Sequence, residues 1–316
     1  MQIIDPFLTT TPLPELAACI GFFDGVHRGH RFLIRELNAE AKRRGLASAV
    51  ITFRNHPREL IDPEFHPQLL QPFDEKMASL AQTGLDYCIV LDFTPQIRDL
   101  SAEAFIQTIL CELIHVKLLL IGYDHRFGKD RRDGFEQYQI YGAACGIDVM
   151  KEPDYSPSGL HVSSSAIRRA LLNGKPELAA QLLGTPYRLT GTVVKGSQIG
   201  RTIGFPTANV QPTSADSIIP KQGVYAAFVK ANDRYYPAMV NIGNRPTVEQ
   251  QGAQTVEAHL IGFEGDLYGA AVSVFFMDYL RPERKMESID DLKQQLQTDR
   301  DQTLICLDGN PFGFKR

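Results

Sequence analysis

Two histidines three positions apart, His27 and His30, stand behind the string Gly21-Phe22-Phe23-Asp24-Gly25-Val26, with Gly29 between them. Imidazoles donate to phosphate oxygens, and two at this spacing on a helix face reach one phosphate from the same side. The string follows a short apolar run, Leu16-Ala17-Ala18-Cys19-Ile20. It leads into Phe32-Leu33-Ile34 with Leu37 and Ala41, the spacing of an amphipathic helix. The order is therefore strand, glycine-rich turn and helix. Glycine lets a phosphate approach the backbone, and a helix N-terminus offers unpaired N–H groups and a partial positive charge. Such a site can hold a nucleotide triphosphate and stabilise charge on it during group transfer. His-x-Gly-His alone favours a plain turn, and it is the preceding strand, the following helix and Phe23-Asp24-Gly25 directly in front that reverse this toward phosphate.

Two further stretches carry phosphate chemistry. Val162-Ser163-Ser164-Ser165-Ala166-Ile167-Arg168-Arg169 opens a helix with consecutive hydroxyls and a bidentate cation, or else is an ordinary serine-capped helix with a surface arginine. Glycines 196, 200 and 204 lead into Phe205-Pro206-Thr207-Ala208-Asn209 and permit close backbone approach to phosphates. Thr207 and Asn209 sit at strand spacing, so their side chains point the same way. A hydroxyl and an amide oxygen together suit a magnesium ion that also keeps phosphate oxygens and waters. No G-x-x-x-x-G-K-[ST] is present, so this is not a P-loop. In Val256-Glu257-Ala258-His259-Leu260 the polar pair Glu257 and His259 shares one strand face.

The elements that must position these residues fall into two halves. Residues 16–152 alternate strand-like segments (16–20, 46–53, 86–93, 116–122, 147–151) with helix-like ones (31–44, 74–83, 102–115), which predicts a parallel sheet with right-handed crossovers. Ligands in such sheets bind at the carboxyl ends of strands, where residues 21–30 and 122–128 fall. Two short helices follow, 163–173 and 176–183. From Tyr187 the pattern changes to strand-like runs (187–195, 224–230, 235–242, 256–263, 271–280), with hairpin turns expected at Asn232-Asp233 and Gly265-Asp266. This predicts a small antiparallel barrel, closed by a helix over 288–305. The boundary is expected at Gly184-Thr185-Pro186, giving domains 1–185 and 186–316.

Bulk properties narrow the class. The chain has 316 residues, 43% apolar and 22% charged, with a net charge of −4, so no basic field calls for nucleic acid. No apolar run approaches the ~18–20 residues of a membrane span, and the opening residues lack a basic-then-apolar leader. The five cysteines form no C-x-x-C pair and read as reduced thiols. The expectation is a cytoplasmic protein with no membrane partner.

The ten residues 21–30 resemble the HxGH signature of the nucleotidyltransferase superfamily, in the form seen in bacterial FAD synthetases. Residues 162–168 resemble the distal (I/V)SST-x-(I)R segment of that superfamily, with Ser165 for the usual threonine. Thr52-Phe53-Arg54-Asn55-His56-Pro57-Arg58 is similar to the TFDPHP segment and departs from it at Arg54 and Asn55. Gly122-Tyr123-Asp124-His125-Arg126-Phe127-Gly128 is similar to GxDFRFG, with His125 for phenylalanine. Residues 204–209 resemble the GFPTAN motif of riboflavin kinases, and residues 256–260 resemble their E-x-H segment. Residues 241–247, 263–269, Arg281-Pro282-Glu283 and the closing helix also match. Ser197-Gln198-Ile199 departs, where many relatives carry Asp and a basic residue.

The resemblance spans about residues 20–304 and implies a bifunctional riboflavin kinase and FMN adenylyltransferase. Its implied fold is a Rossmann-like α/β nucleotidyltransferase domain with a parallel sheet, followed by an antiparallel β-barrel riboflavin kinase domain with a C-terminal helix. In the first domain it implies a nucleotide loop of Gly21, Phe22, Phe23, Asp24 and Gly25, with His27 and His30 on the phosphates. Ser164, Ser165 and Arg168 would hold pyrophosphate, and His56, Pro57, Asp124 and Arg126 would line the flavin cleft. In the barrel it implies ATP or flavin contacts from Gly196, Gly200, Arg201, Gly204, Phe205, Pro206 and Asn241. Thr207 and Asn209 would hold the metal, and Glu257 would be the base for the ribityl 5′-hydroxyl. Mg2+ and ATP as co-substrate are implied, with riboflavin, FMN and FAD as small-molecule partners and a monomer or weak homo-oligomer as the assembly. Two alternatives remain. One is a nucleotidyltransferase with another acceptor, against which the GFPTAN half argues. The other is a catalytically inactive flavin-binding regulator, against which the retained His27, His30, Thr207, Asn209 and Glu257 argue.

Overall fold

Every residue of the run Leu16–Ile20 is buried, because it forms a central strand of a parallel sheet covered on both faces. A computed structural model describes residues 1–9, 12–62, 64–122, 126–129, 132–152, 155, 161–196, 200, 203–244 and 254–308. It divides into two units, Met1–Pro67 with Phe73–Val162, and Gln68–Pro72 with Ser163–Arg316. The first unit opens with β1 (Gln2–Ile4), β2 (Leu16–Ile20), α1 (Arg28–Arg44), β3 (Ala47–Phe53) and a 3-10 turn (Pro57–Leu60). It continues with α2 (Phe73–Ala81), β4 (Tyr87–Leu91), α3 (Pro95–Arg98) and α4 (Ala102–Ala104), which runs on as a π-helix (Phe105–Leu113). Then come β5 (Val116–Ile121), α5 (Phe135–Ala144) and β6 (Asp148–Lys151). Strand order is β1-β4-β3-β2-β5-β6, all parallel. The chain builds outward from β2 through β3 and β4, then crosses to β5 on the other side. The carboxyl ends of β2 and β5 thus form a topological switch point, the position where such sheets bind ligands.

α1 shows why the local sequence folds as it does. Leu33, Ile34, Leu37 and Ala41 form its buried stripe, Lys42, Arg43 and Arg44 complement the dipole in its last turn, and Gly45 ends it at φ 69°. β1 and α5 were not among the expected elements. A three-residue strand is too short to show a period, and α5 buries only Tyr138 and Gly142. The helix expected over 102–115 is present through Leu113, but mostly with π geometry.

The second unit contains α6 (Ser164–Leu172), α7 (Pro176–Leu183), β7 (Tyr187–Val194), β8 (Ala208–Pro212), β9 (Gly223–Ala231), β10 (Arg234–Asn244), β11 (Gln254–Leu260), β12 (Ala271–Arg281) and α8 (Ile289–Leu307). The six strands close into a barrel in the order β10-β11-β8-β7-β12-β9, and every pairing is antiparallel. Asn232 and Asp233, at φ 48° and 61°, form the expected two-residue hairpin between β9 and β10. Gly265-Asp266 is not a hairpin turn. β11 pairs with β10 and β8, whereas β12 pairs with β7 and β9, so the connection crosses the barrel end. β8 was read only as two residues at strand spacing, because the glycines and proline before it mask its period.

α6 and α7 pack with the barrel. Ala179, Leu182 and Leu183 are buried, and the Lys221 N–H donates to the Leu171 carbonyl at 3.1 Å. Each buried leucine contributes roughly 1.5–3 kcal/mol relative to exposure. A fragment of residues 163–316 should therefore melt several degrees above a fragment of residues 186–316, followed by circular dichroism. Equal midpoints would show that the helix pair contributes no stability.

Candidate active sites

At the end of β2 the Gly21 N–H donates to the Ile51 carbonyl at 3.0 Å, and the chain then turns sharply. Phe23 (φ 55°), Gly25 (φ 82°) and Val26 (φ 37°) are all left-handed. For Phe and Val this costs about 1–3 kcal/mol each and persists only where the surroundings over-determine it. They do here, since the side chains of Phe23 and Val26 are buried in the core with Leu33, Ile34 and Leu37. The turn sets His27 as N-cap of α1, its Nδ1 accepting the His30 backbone N–H at 3.3 Å. An accepting Nδ1 leaves Nε2 as the protonated nitrogen of the neutral ring. The two imidazoles stack, with centroids 3.6 Å apart and planes 14° from parallel. Gly29 allows this, because a Cβ there would lie 3.3 Å from the His27 ring. His27 and Asp24 are both buried. The loop thus offers helix N-terminal N–H groups and two imidazoles on one face.

His56 joins this site. Its ring meets Phe22 edge-on at 4.8 Å, and its Nδ1 accepts the Arg58 N–H at 3.1 Å, capping the 3-10 turn that Pro57 begins. The departures Arg54 and Asn55 have structural work. Asn55 bonds both backbone groups of Phe93, and the Arg54 Nε meets Asp92 at 3.1 Å, so they pin the ends of β3 and β4 together. Arg126 is exposed, while Asp124 and its neighbours Tyr123 and His125 lie outside the described residues.

Sequence reasoning missed Lys76. In α2 it reads as a surface lysine, yet it is 3% exposed. Its Nζ donates to the carbonyls of Phe22 (3.0 Å) and Phe53 (3.1 Å) and to Thr52 Oγ1 (3.3 Å), and it lies 4.2 Å from the Phe22 ring centroid. Burial lowers its pKa to about 8, against the opposing pull of Asp24.

In the second unit Ser163 caps α6, its Oγ accepting the Ala166 N–H at 3.2 Å. Ser164 and Ser165 form the first turn, and the Arg168 Nε donates to the Gln68 carbonyl at 2.6 Å. These residues belong to this unit, and His27 and His30 belong to the other.

In the barrel, strand register gathers the predicted residues. Asn209 of β8 and Asn241 of β10 both pair with Glu257 of β11, so the three stand in a row across adjacent strands. Val256, Ala258 and Leu260 are buried, which puts Glu257 and His259 together on the opposite face, as expected. The Thr207 Oγ1 donates to the Glu257 Oε2 at 3.4 Å. The His259 Nδ1–H donates to the Pro206 carbonyl at 2.8 Å, and its ring meets Phe205 edge-on, fixing the segment before Thr207. Burial lowers the pKa of His259, against the opposing pull of the Pro206 carbonyl. Asn241 Nδ2 donates to Glu283 Oε1 at 3.1 Å. Gly204 has φ 86°, and the Phe205 N–H closes back on the Gly200 carbonyl at 2.9 Å. Arg201 and residues 197–199 lie outside the described residues.

The donor set fits a hard cation. Asn209 is buried and its Oδ1 is without a hydrogen-bond partner among the described residues, beside the Thr207 hydroxyl and the Glu257 carboxylate. A groove of about 390 Å³ adjoins Thr207, lined by Val193, Leu260, Phe263, Leu267 and Tyr268 and by the acidic Glu264 and Asp266. Its apolar part suits a flat heterocycle. The 263–268 portion was recognised only by resemblance, because nothing local in it marks a wall of a site built from β7 and β11.

The chain joins a parallel-sheet unit with a glycine-rich loop at the end of β2 to a closed antiparallel barrel that gathers Thr207, Asn209 and Glu257. Family models match accordingly, FAD synthetase over residues 10–166 and riboflavin kinase over residues 183–307. A bifunctional riboflavin kinase/FMN adenylyltransferase of Escherichia coli K12 is 38% identical over 293 residues, 92% of this chain and 93% of that protein. The protein of the same description from Bacillus subtilis 168 is 34% identical, covering 90% of each chain. A solved structure described as a macrolide-efflux protein from Streptococcus pneumoniae superposes with a TM-score of 0.87 at 31% identity, over 96% of this chain and 99% of that one. Among the described residues no helix is long and apolar enough to cross a membrane. The chain belongs to the bifunctional riboflavin kinase/FMN adenylyltransferase family.

Gly196 tests the barrel geometry. A Cβ there would lie 2.1 Å from the Asn209 Nδ2, so the amide must move. Misplacement of about 1 Å costs on the order of 10²-fold in rate. Gly196→Ala should lower riboflavin phosphorylation by that factor while FAD formation from supplied FMN persists, both read by chromatography.

Proposed function

We infer that the two reactions of this chain divide between the two sites just described. The chain phosphorylates riboflavin with ATP to give FMN, then adenylylates FMN with a second ATP to give FAD and pyrophosphate. The observation that supports the assignment is the convergence of Thr207, Asn209 and Glu257 on one barrel face, while a separate glycine-rich loop with His27 and His30 follows the end of β2.

In the kinase reaction the riboflavin 5′-hydroxyl oxygen attacks the γ-phosphorus of ATP, and the bond to the ADP oxygen breaks. Glu257 accepts the hydroxyl proton, with Thr207 and Asn241 setting its surroundings. Such transfers depend mainly on positioning and charge neutralisation, so a carboxylate base suffices. Thr207 and Asn209 would hold Mg2+, which supplies positive charge to the phosphate oxygens. Gly196, Gly200, Arg201, Gly204, Phe205 and Pro206 are assigned to ATP or flavin contacts.

In the adenylyl reaction an FMN phosphate oxygen attacks the α-phosphorus, and the bond to pyrophosphate breaks, with no enzyme nucleophile. The Nε2–H of His27, together with His30 and the N–H groups opening α1, stabilises negative charge on the phosphates. Ser164, Ser165 and Arg168 are assigned to pyrophosphate, and His56, Pro57, Asp124 and Arg126 to the flavin side. A single-chain enzyme acting within the cytoplasm, as monomer or weak homo-oligomer, is consistent with the expected partners.

Purified protein incubated with riboflavin, ATP and magnesium should yield FMN, then FAD, by chromatography. Glu257→Gln should abolish FMN production while FAD still forms from supplied FMN. Riboflavin phosphorylation within a few-fold of wild type would remove Glu257 as the base. His27→Ala with His30→Ala should give the converse, with FMN made and FAD lost by at least ~10²-fold, the cost typical of removing one oxyanion donor.

A further inference from the structure

The lysine at position 76 is buried at the carboxyl ends of β2 and β3, against the loop rather than the core. An ammonium has three N–H donors, and its three acceptors are the Phe22 carbonyl, the Phe53 carbonyl and Thr52 Oγ1. Thr52 Oγ1 in turn donates to the Phe22 carbonyl at 3.2 Å, so that carbonyl receives two donors. Phe22 immediately precedes the left-handed residue Phe23, and the orientation of the peptide between them starts the turn that delivers Asp24, His27 and His30. The Nζ lies 4.2 Å from the Phe22 ring centroid and 5.5 Å from that of Phe73, and the residue is 3% exposed, so the cation is held away from water.

We propose that Lys76 is a positioning residue for adenylyl transfer, its ammonium tying the nucleotide loop through the Phe22 carbonyl to the end of β3. The proposal rests on the assignment of His27 and His30 to the adenylyl site. A lysine that merely filled space would leave the loop carbonyl to another donor and would affect folding alone. Here the charge is spent on the backbone of the catalytic loop itself.

The protonation state of Lys76 gives a readout that a packing role lacks. The titratable groups acting on it are Asp24 on the loop, which favours the ammonium, and Cys88 on β4, whose thiol is pushed up to about 12 by burial and stays neutral. Below about pH 8 the ammonium serves three acceptors. Above it the neutral amine has two N–H groups for three, so the tie weakens as pH rises. In wild type, kcat/KM for ATP in FAD formation from FMN should fall through pH 8–9, while riboflavin phosphorylation by the same chain does not follow.

The experiment compares wild type, Lys76→Met and the His27→Ala/His30→Ala double variant in both reactions from pH 6.5 to 9.5. Lys76→Met should lose about 10- to 100-fold in kcat/KM for adenylyl transfer, with riboflavin phosphorylation within twofold. Adenylyl transfer within twofold of wild type overturns the proposal. So does parallel loss of both activities, which would assign Lys76 to the fold, and so does a wild-type profile flat above pH 8. If the histidine variant keeps FAD formation, the site assignment falls and the proposal with it. If that variant loses FAD formation and Lys76→Met does not, only the role of Lys76 is rejected.

Discussion

The left-handed backbone of Phe23, Gly25 and Val26 is the constraint on which the first unit depends. Three such residues in four positions would not hold in a free loop. They hold because Phe23 and Val26 are buried on the first turns of α1 and because β2 fixes the entry to the loop. The turn then leaves one direction for α1, with a histidine at its N-cap and another stacked on it. Strain placed here converts burial free energy into a fixed, stacked pair of imidazoles.

The barrel solves the same problem by register. Antiparallel pairing puts Asn209, Glu257 and Asn241 side by side from three strands, and a slip of one residue would turn all of them to the opposite face. Register is held by the buried alternation of Val256, Ala258 and Leu260. Gly196 lies so close to Asn209 that its backbone acts as a stop for the amide, and His259 braces Pro206 from the next position on β11. One end of the row is anchored by α8. Asp299, fully buried, takes both the Nε and Nη2 of Arg281, two residues before the Glu283 that reaches Asn241. A buried pair of this kind contributes more to geometry than to net stability.

The cysteines illustrate how burial decides chemistry. Cys19 and Cys88 sit on β2 and β4 beneath the loop, and desolvation raises both thiols far above their ordinary range. They pack as small hydrophobes, in contrast to the lysine beside them, whose polar acceptors keep a charge in place.

Much of this protein is local and therefore legible in its residues. The strand–turn–helix at residues 16–44, the change of grammar near residue 186, and the pairing of Thr207 with Asn209 and of Glu257 with His259 follow from periodicity and from the chemistry of glycine, histidine and hydroxyls at short range. Tertiary structure alone decided the rest. Lys76 reads as an exposed helix position and becomes buried because residues 22, 52 and 53, some 23 to 54 positions away, bring their oxygens to it. β1 gains its identity only from β4, and the Phe263–Tyr268 wall only from strands that pass behind it. The expected hairpin at Gly265-Asp266 fails for the same reason. Turn residues specify that the chain bends, while barrel closure specifies which strand it must reach. Local sequence carries dihedral preference and period, whereas desolvation and register arise between segments distant in the chain.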